Sequence, residues 1–376
     1  MVNRDRLVEQ FLELVQIDSE TRHEREIADV LKKKFTDLGL EVVEDGAAEK
    51  TGHGAGNLVC TLKGNNDSAD AIYFTSHMDT VVPGKGIKPQ IENEVISSDG
   101  TTILGADDKA GIAAMFEVLR TIKENDIQHG TVQFVIPVGE ESGLAGSKAL
   151  DSSLLKAKYG YALDSAEEVG HIITAAPTQA KLHIVVNGKT AHAGVAPEKG
   201  VSAISLAAKA ISKMRLGRID KDTTANIGSF RGGMQTNIVC DRVEIEAETR
   251  SLIPEKMEKQ ASEMKRTFES TAKELGGSAD VEIETMYPGY RYEDGDPVVE
   301  IAKEAVKDIG REPRLLESGG GSDANIIAGY GIPTVNLSVG YENIHTTNEK
   351  MPIQELVKTS ELVLAIVNKA SQKNVG

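Results

Sequence analysis

AIYFTSHMDT, residues 71–80, is the stretch on which the reading of this chain turns. Ala71 to Thr75 is a short run rich in β-forming side chains, and directly beyond it stand His77 and Asp79. The same grammar recurs downstream. TVQFVIPVGEES, residues 131–142, reads as a strand from Thr131 to Val138 that delivers Glu140 and Glu141. YGYALDS delivers Asp164, IPTVNLSVGYENIH leads from another apolar run to His345, and GADDK sets Asp107 at the opening of a helix. In open α/β sheets, ligands bind just beyond the carboxyl ends of the strands. Two imidazoles and several carboxylates converging there form a donor set suited to zinc, which takes nitrogen and oxygen ligands. The pattern implies a two-metal hydrolase.

The spacings exclude a local metal knuckle. His77 and Asp107 are 30 residues apart, Asp107 and Glu140 are 33 apart, and Asp164 and His345 are 181 apart. Only a folded sheet can gather such points. One acidic residue after one strand is ordinarily a helix cap or a surface charge, and acids at the Asp107–Asp108 helix start suit the helix dipole as well. Repetition at successive strand ends, with a histidine at the first and the last, carries the metal reading.

Composition sets outer bounds. A chain of 376 residues exceeds what one core usually holds, so two domains are expected. A net charge of −16 argues against nucleic acid or an anionic membrane as partner. The two cysteines, Cys60 and Cys240, form no disulfide framework, as expected for a reducing cytosol. MVNRDRLVEQFLELV reads as an amphipathic helix rather than a secretion signal. No apolar run approaches membrane-spanning length. A cytoplasmic protein is the expectation.

Helical periodicity runs from about Arg4 to Val15, from about Arg22 to Leu38 with Gly39 as C-cap, and from about Lys109 to Lys123. Extended runs at Asn57 to Leu62 and Ala71 to Thr75 alternate with them, predicting a parallel-rich sheet covered by helices. Near Ala176 the pattern changes. QAKLHIVVNG, Thr224 to Phe230, Arg242 to Arg250 and Asp280 to Met286 read as strands, with helices at AISLAAKAISKM and about Pro254 to Leu275. That β-α-β-β-α-β order suggests an inserted ferredoxin-like unit at 177–287. The main domain is then discontinuous, 1–176 and 288–376, ending in a helix from Ile353 to Ser371.

SHMDTV from Ser76, SSDGTTILGADDKAGIA from Ser97, GEESGLAGS from Gly139, YALD ending at Asp164, GKTAHAGVAPEKGVSAISLAA from Gly188, GGGSDAN from Gly319 and GYENIH ending at His345 cover nearly the whole chain. In these motifs and their order the sequence resembles the co-catalytic zinc peptidases and deacylases, the family that includes peptidase T, carboxypeptidase G and acetylornithine deacetylase. It resembles peptidase T, the tripeptide aminopeptidase, most. The resemblance implies an α/β zinc-exopeptidase fold with a mixed sheet, helices on both faces and an inserted α+β lid and dimerisation domain. It implies hydrolysis of short peptides with two divalent ions, zinc ahead of cobalt or manganese. A related carboxypeptidase or N-acyl amino acid deacylase is the alternative, and a non-catalytic peptide-binding protein the remote one, which retention of Glu140 argues against.

Carried onto matching positions, the resemblance gives one metal to His77 and Asp164, the other to Glu141 and His345, and makes Asp107 the bridge. Asp79 would accept the other ring N–H of a ligand imidazole. Glu140 would be the general base. A cis peptide is expected at Asp107-Asp108. His192, in the inserted unit, would reach the active site of a partner subunit in a homodimer, and Asn237, Arg250, Gly320 and Gly321 would meet substrate. One position departs from peptidase T: Gly319 stands where that enzyme has an arginine. The remaining histidines earn no site: His23 on a charged helix, His53 in a glycine-rich loop and His129 in a turn are expected at the surface, and His183 in strand packing or on the lid surface.

Overall fold

The computed structural model describes residues 1–372. The chain divides into two compact units, the first formed by Met1–Ala175, Tyr292–Glu317 and the segment from Ser322 onward, the second by Ala176–Arg291 with Ser318–Gly321.

In the first unit a mixed sheet runs in the order Glu41–Glu44, Leu58–Leu62, Val132–Ile136, Ile72–Thr75, Tyr159–Ser165, Thr334–Ser338 and His171–Ala176. Arg314–Glu317 pairs in parallel with His171–Ala176. The four strands from Val132–Ile136 to Thr334–Ser338 run parallel to one another. They are buried almost throughout, which is why the sequence shows unbroken apolar runs there instead of alternation. Leu58, Cys60, Ile72, Phe74, Val132 and Phe134 point into one core, while their neighbours Val59, Tyr73 and Val135 point into another. Period-two alternation thus buries both faces. Ala106–Glu124 lies between Arg4–Val15 and Ile353–Gln372 over the first core. Phe35 stacks on Phe116 there, ring centroids 4.3 Å apart.

Local rules explain most helix bounds. Arg4–Val15 starts where the Asn3 side chain accepts from the Arg6 N–H, a standard N-cap. The second helix is Arg25–Asp37, three residues later than expected at its start, because Arg22 takes φ +77° and His23 remains in a turn rather than on the helix. Asp107 and Asp108 have non-helical backbones, and their connecting peptide is cis. A small antiparallel sheet of Gln90–Glu92, Val95–Ser97 and Lys350–Pro352 was not anticipated, since three-residue strands carry almost no periodicity.

The second unit has its own core. Its strands Thr223–Gly232, Arg242–Ser251, Thr178–Asn187 and Ser278–Tyr287 lie in that antiparallel order, and Ala203–Ser212 and Pro254–Glu274 are its helices. The element order is β-α-β-β-α-β. Along Thr178–Asn187, Ala180, Leu182, Ile184 and Val186 are buried, while Lys181 and His183 face solvent. His183 pairs with Glu246 at 2.7 Å across the exposed face.

Candidate active site

The Ile72–Thr75 strand ends in SHMD. The Ser76 hydroxyl donates to the Asp108 carbonyl at 2.7 Å, and His77, 1% exposed, turns inward. Its Nδ1 lies 2.9 Å from the Asp79 carbonyl oxygen and 3.4 Å from the Asp79 carboxylate. The backbone oxygen is thus the closer acceptor for the ring N–H, not the carboxylate expected from sequence. The Asp79 carboxylate accepts the backbone N–H groups of Glu140 at 3.0 Å and Glu141 at 3.2 Å. One residue therefore orients an imidazole and fixes the turn beyond the neighbouring strand.

His77 Nε2 lies 3.1 Å from Asp107 Oδ1. His345 Nε2 lies 3.2 Å from Asp107 Oδ2 and 2.9 Å from Glu141 Oε1. Asp164 Oδ1 accepts from the Tyr341 hydroxyl at 3.1 Å, and the backbone of Asp164 is clasped by Asn336 through its N–H (2.9 Å) and its carbonyl (2.6 Å). Three groups bring ligand atoms within 4.8 Å of one another: His77, Asp107 and Asp164; Asp107, Glu141 and His345; and His77, Glu140 and Glu141. The first two share Asp107.

The electrostatics fit divalent cations. Burial pushes the Glu140 and Asp164 carboxyls well above their usual range, and neighbouring carboxylates add to it. Burial also works upward on Asp107, but its bonds to His345 and His77 outweigh that and hold it below the carboxylate range. The same bonds, from Asp107 and then Glu141, lift His345 to about 10. Several buried carboxyl groups lie together there, and both Asp108 carboxyl oxygens are buried with no hydrogen-bond partner, an arrangement that a bound cation would relieve. The nitrogen and oxygen donors suit zinc.

Several contributors escaped the sequence reading. His53 is buried: Nε2 lies 2.8 Å from Ser142 Oγ, Nδ1 lies 2.9 Å from Thr51 Oγ1, and the ring packs against Gly139. A Cβ at Gly139 would come within 2.3 Å of that ring, so the glycine is what lets the turn bearing Glu140 and Glu141 sit there. His129 is also buried, with Nδ1 2.6 Å from the Gly130 carbonyl. Both correct the expectation of surface histidines, because glycine-rich loops bury a ring as readily as expose one when backbone passes close. Lys109 is fully buried, donates to the Ile17 carbonyl at 3.1 Å, and is pulled to about 8 by burial. Asp323, in the GGGSDAN motif, is held by the Ser147 hydroxyl and raised by burial to about 6.

The other residues singled out belong to the second unit. His192 is exposed, bridges to Ile238 and accepts the Gly194 N–H on Nδ1 at 3.2 Å. Asn237, also exposed, accepts the Ala193 N–H at 2.9 Å through its backbone. Arg250 pairs with Glu248 at 2.9 Å and donates to the Gly319 carbonyl at 3.3 Å, with Gly320 alongside. Gly321 packs so closely on Tyr287 that a Cβ would fall 2.4 Å from its ring.

A mixed α/β sheet with two imidazoles and three carboxylates at or beyond its parallel strand ends, joined by Asp107, which comes from the start of a helix and is shared by two of the ligand groups, defines a metal-site hydrolase. Residues 73–369 match the Peptidase family M20/M25/M40. The crystal structure of aminopeptidase PepT from Bacillus cereus ATCC 10987 is 67% identical, covers 98% of this chain and 99% of that one, and has a TM-score of 0.94. That of a tripeptidase from Staphylococcus aureus subsp. aureus Mu50 is 53% identical over 99% and 100% of the two chains, with a TM-score of 0.97. Peptidase T of Geobacillus thermodenitrificans (strain NG80-2) is 27% identical over 98% of this chain and 99% of its own. The chain belongs to the M20/M25/M40 peptidase family and is a peptide hydrolase. Among the described residues no helix is long and apolar enough to cross a membrane.

Proposed function

We propose that this chain is a peptidase T-like aminopeptidase that removes the N-terminal residue of tripeptides with two zinc ions. The observation that carries the reading is Asp107, whose Oδ1 faces His77 and whose Oδ2 faces His345, so that one carboxylate serves two clusters. His77 and Asp164 would hold one ion and Glu141 and His345 the other, with Asp107 serving both. Metal held there would supply a water of lowered pKa and polarisation of the scissile carbonyl.

Protein groups do the rest. Asp79 and the strand ends set the imidazoles and the Glu140–Glu141 turn in place, which limits rearrangement during the reaction. Glu140 takes a proton from the attacking water and passes it to the leaving nitrogen. Its carboxyl is pushed up by loss of solvent and by Asp164, which favours taking up the proton of the attacking water. His192 donates to the carbonyl oxygen as negative charge develops, supplied by a partner subunit through a dimer of the inserted unit. Asn237, Arg250, Gly320 and Gly321 meet the peptide. The cytoplasm is the setting, where Cys60 and Cys240 remain free thiols.

The test is a substrate panel on purified, metal-loaded protein: free-amino tripeptides, N-acylated amino acids and C-terminally blocked peptides, with elemental analysis on the same sample. The expected result is preferential cleavage of free-amino tripeptides and about two divalent ions per chain. Preference for N-acyl amino acids would replace the aminopeptidase by the related deacylase.

A further inference from the structure

Glu349 lies four residues beyond His345, yet its carboxylate is spent on a distant stretch of chain. It is 1% exposed. Oε2 accepts the backbone N–H groups of Leu104 at 2.7 Å and Gly105 at 2.8 Å, and Oε1 accepts that of Asp107 at 3.0 Å. Leu104 and Gly105 belong to the turn that leads into Asp107, and Gly105 there takes φ +74°. At the other end, the Glu349 N–H donates to the Thr346 carbonyl at 3.2 Å, tying it to the residue after His345. Lys350 then exchanges two backbone hydrogen bonds with Glu342, 2.9 Å each, closing the loop that carries His345.

We propose that Glu349 is a positioning residue for the metal centre: its carboxylate clamps the Leu104–Asp107 turn to the His345 loop and thereby fixes Asp107 against His345. The inference rests on the metal reading of Asp107 and His345. The physical case is geometric. Both stretches are irregular backbone, and neither is held by a sheet ladder at the ligand itself. Asp107 must present one oxygen to each side of the site, so a small rotation of its backbone misplaces both at once. Three charge-assisted bonds, to the N–H groups of Leu104, Gly105 and Asp107, are the device that prevents this rotation. A carboxylate can do so because it accepts on two oxygens; an amide of the same shape offers one acceptor and turns a donor toward N–H groups. The acceptor count, not side-chain volume, therefore separates Glu349→Gln from the parent.

The role also explains why a residue that touches no candidate ligand side chain is buried so completely. A buried carboxylate is costly unless it is fully bonded, and the Glu349 carboxylate bonds to Leu104, Gly105 and Asp107 all go to the turn that carries a ligand. Lys109, buried nearby, contributes favourable charge to it.

The experiment compares parent, Glu349→Gln and Glu349→Asp after metal removal. Zinc is titrated back in competition with a chromophoric chelator, cobalt(II) is added separately for its visible absorption, and kcat and KM are measured at saturating zinc on the fraction shown folded by circular dichroism. Partners one step from the ligands typically change metal affinity or activity by about 10–100-fold. Glu349→Gln should therefore bind zinc about 10–100-fold more weakly, show an altered cobalt spectrum, and lose kcat with KM nearly unchanged. Glu349→Asp, which retains both acceptor oxygens on a shorter arm, should recover part of each loss. Glu349→Gln protein with parental zinc affinity, cobalt spectrum and kcat would overturn the proposal, as would losses that track the unfolded fraction alone. Failure of the parent to bind zinc would instead strike the metal reading itself, so the two failures are distinguishable.

Discussion

The carboxyl edge of the main sheet and the surface of the inserted unit solve different problems. At the sheet edge three candidate ligands are fixed by neighbouring groups that are not themselves ligands: His77 by the Asp79 carbonyl, Glu141 by the Asp79 carboxylate, Asp164 by Asn336 and Tyr341. On the inserted unit His192 and Asn237 are exposed, and their bonds are local, to Gly194 and Ala193. Preorganisation is worth most where charge must be held against its own repulsion, and that is the buried edge. Groups that meet substrate only transiently need reach instead. The contrast predicts that substitutions of the ligands at the edge alter metal and turnover together, and that substitutions in the inserted unit leave metal untouched.

The sharpest way to break the comparison is Asp107→Ala. Removing the one carboxylate shared by both clusters should empty both, leaving His77 and His345 without the oxygen each faces at 3.1 and 3.2 Å. Turnover should fall by about 10⁶-fold or more, the scale on which enzymes exceed the uncatalysed reaction. Elemental analysis beside a rate assay checks this. Two retained ions with parental turnover would end the shared-ligand reading.

Glu140→Gln comes next in size and divides the edge internally. The amide keeps the shape and the N–H bond to Asp79 but cannot accept a proton. Metal content should stay at the parental level while kcat falls about 10²–10⁴-fold. Glu141→Gln, by contrast, should weaken one ion, because His345 faces Glu141 at 2.9 Å. Equal metal loss in the two variants would mean that the cluster of His77, Glu140 and Glu141 is the one used.

The edge was the legible part of the sequence, for a reason that the strands make plain. Ile72–Thr75 and Val132–Ile136 are buried on both faces, so both are mostly apolar, and His77, Glu140 and Glu141 follow within a few residues of their ends. The expected runs, Ala71 to Thr75 and Thr131 to Val138, were too long by one and three residues, since apolar Ala71, Pro137 and Val138 continue the pattern beyond the strand bounds. What escaped were residues whose role is set by distant backbone. His53 is buried by a glycine 86 positions away, and Glu349 by a turn more than 240 positions away, and no local period encodes either. Ser318–Gly321 likewise clusters with the inserted unit although it lies well beyond 177–287, the segment expected from the sequence.

His192→Ala tests the other side of the comparison. Losing an oxyanion donor typically costs about 10²–10³-fold in rate. The expected outcome is that loss with no change in metal content, which no variant of a metal ligand at the edge should show. If His192 acts across a dimer, mixing inactive His192→Ala with inactive Glu140→Gln should restore part of the activity in heterodimers. The readout is activity after subunit exchange, followed by native mass spectrometry. Exchange without recovery would confine His192 to its own subunit, and parental turnover in His192→Ala would return it to the surface.

The smallest effect is expected at Gly319, where this chain differs from peptidase T. Around Gly319 nothing lies within 4 Å of an added Cβ, so an arginine can be accommodated without displacing its neighbours. Arg250 already donates to the Gly319 carbonyl through Nη1, and its Nε and Nη2 are engaged by Glu248. Gly319→Arg would add a second guanidinium, free to meet a peptide carboxylate. Exposed ion pairs contribute at most about 1 kcal/mol, which is roughly a fivefold change in affinity. KM for tripeptides with a free carboxyl terminus should therefore fall by up to about fivefold, with kcat and metal content unchanged and no gain for the same peptides amidated at that end. Screening makes the gain shrink as salt is raised, so the salt dependence of KM is the internal control. A change in metal content or kcat in this variant would show that the two regions are not separable in the way their geometry implies.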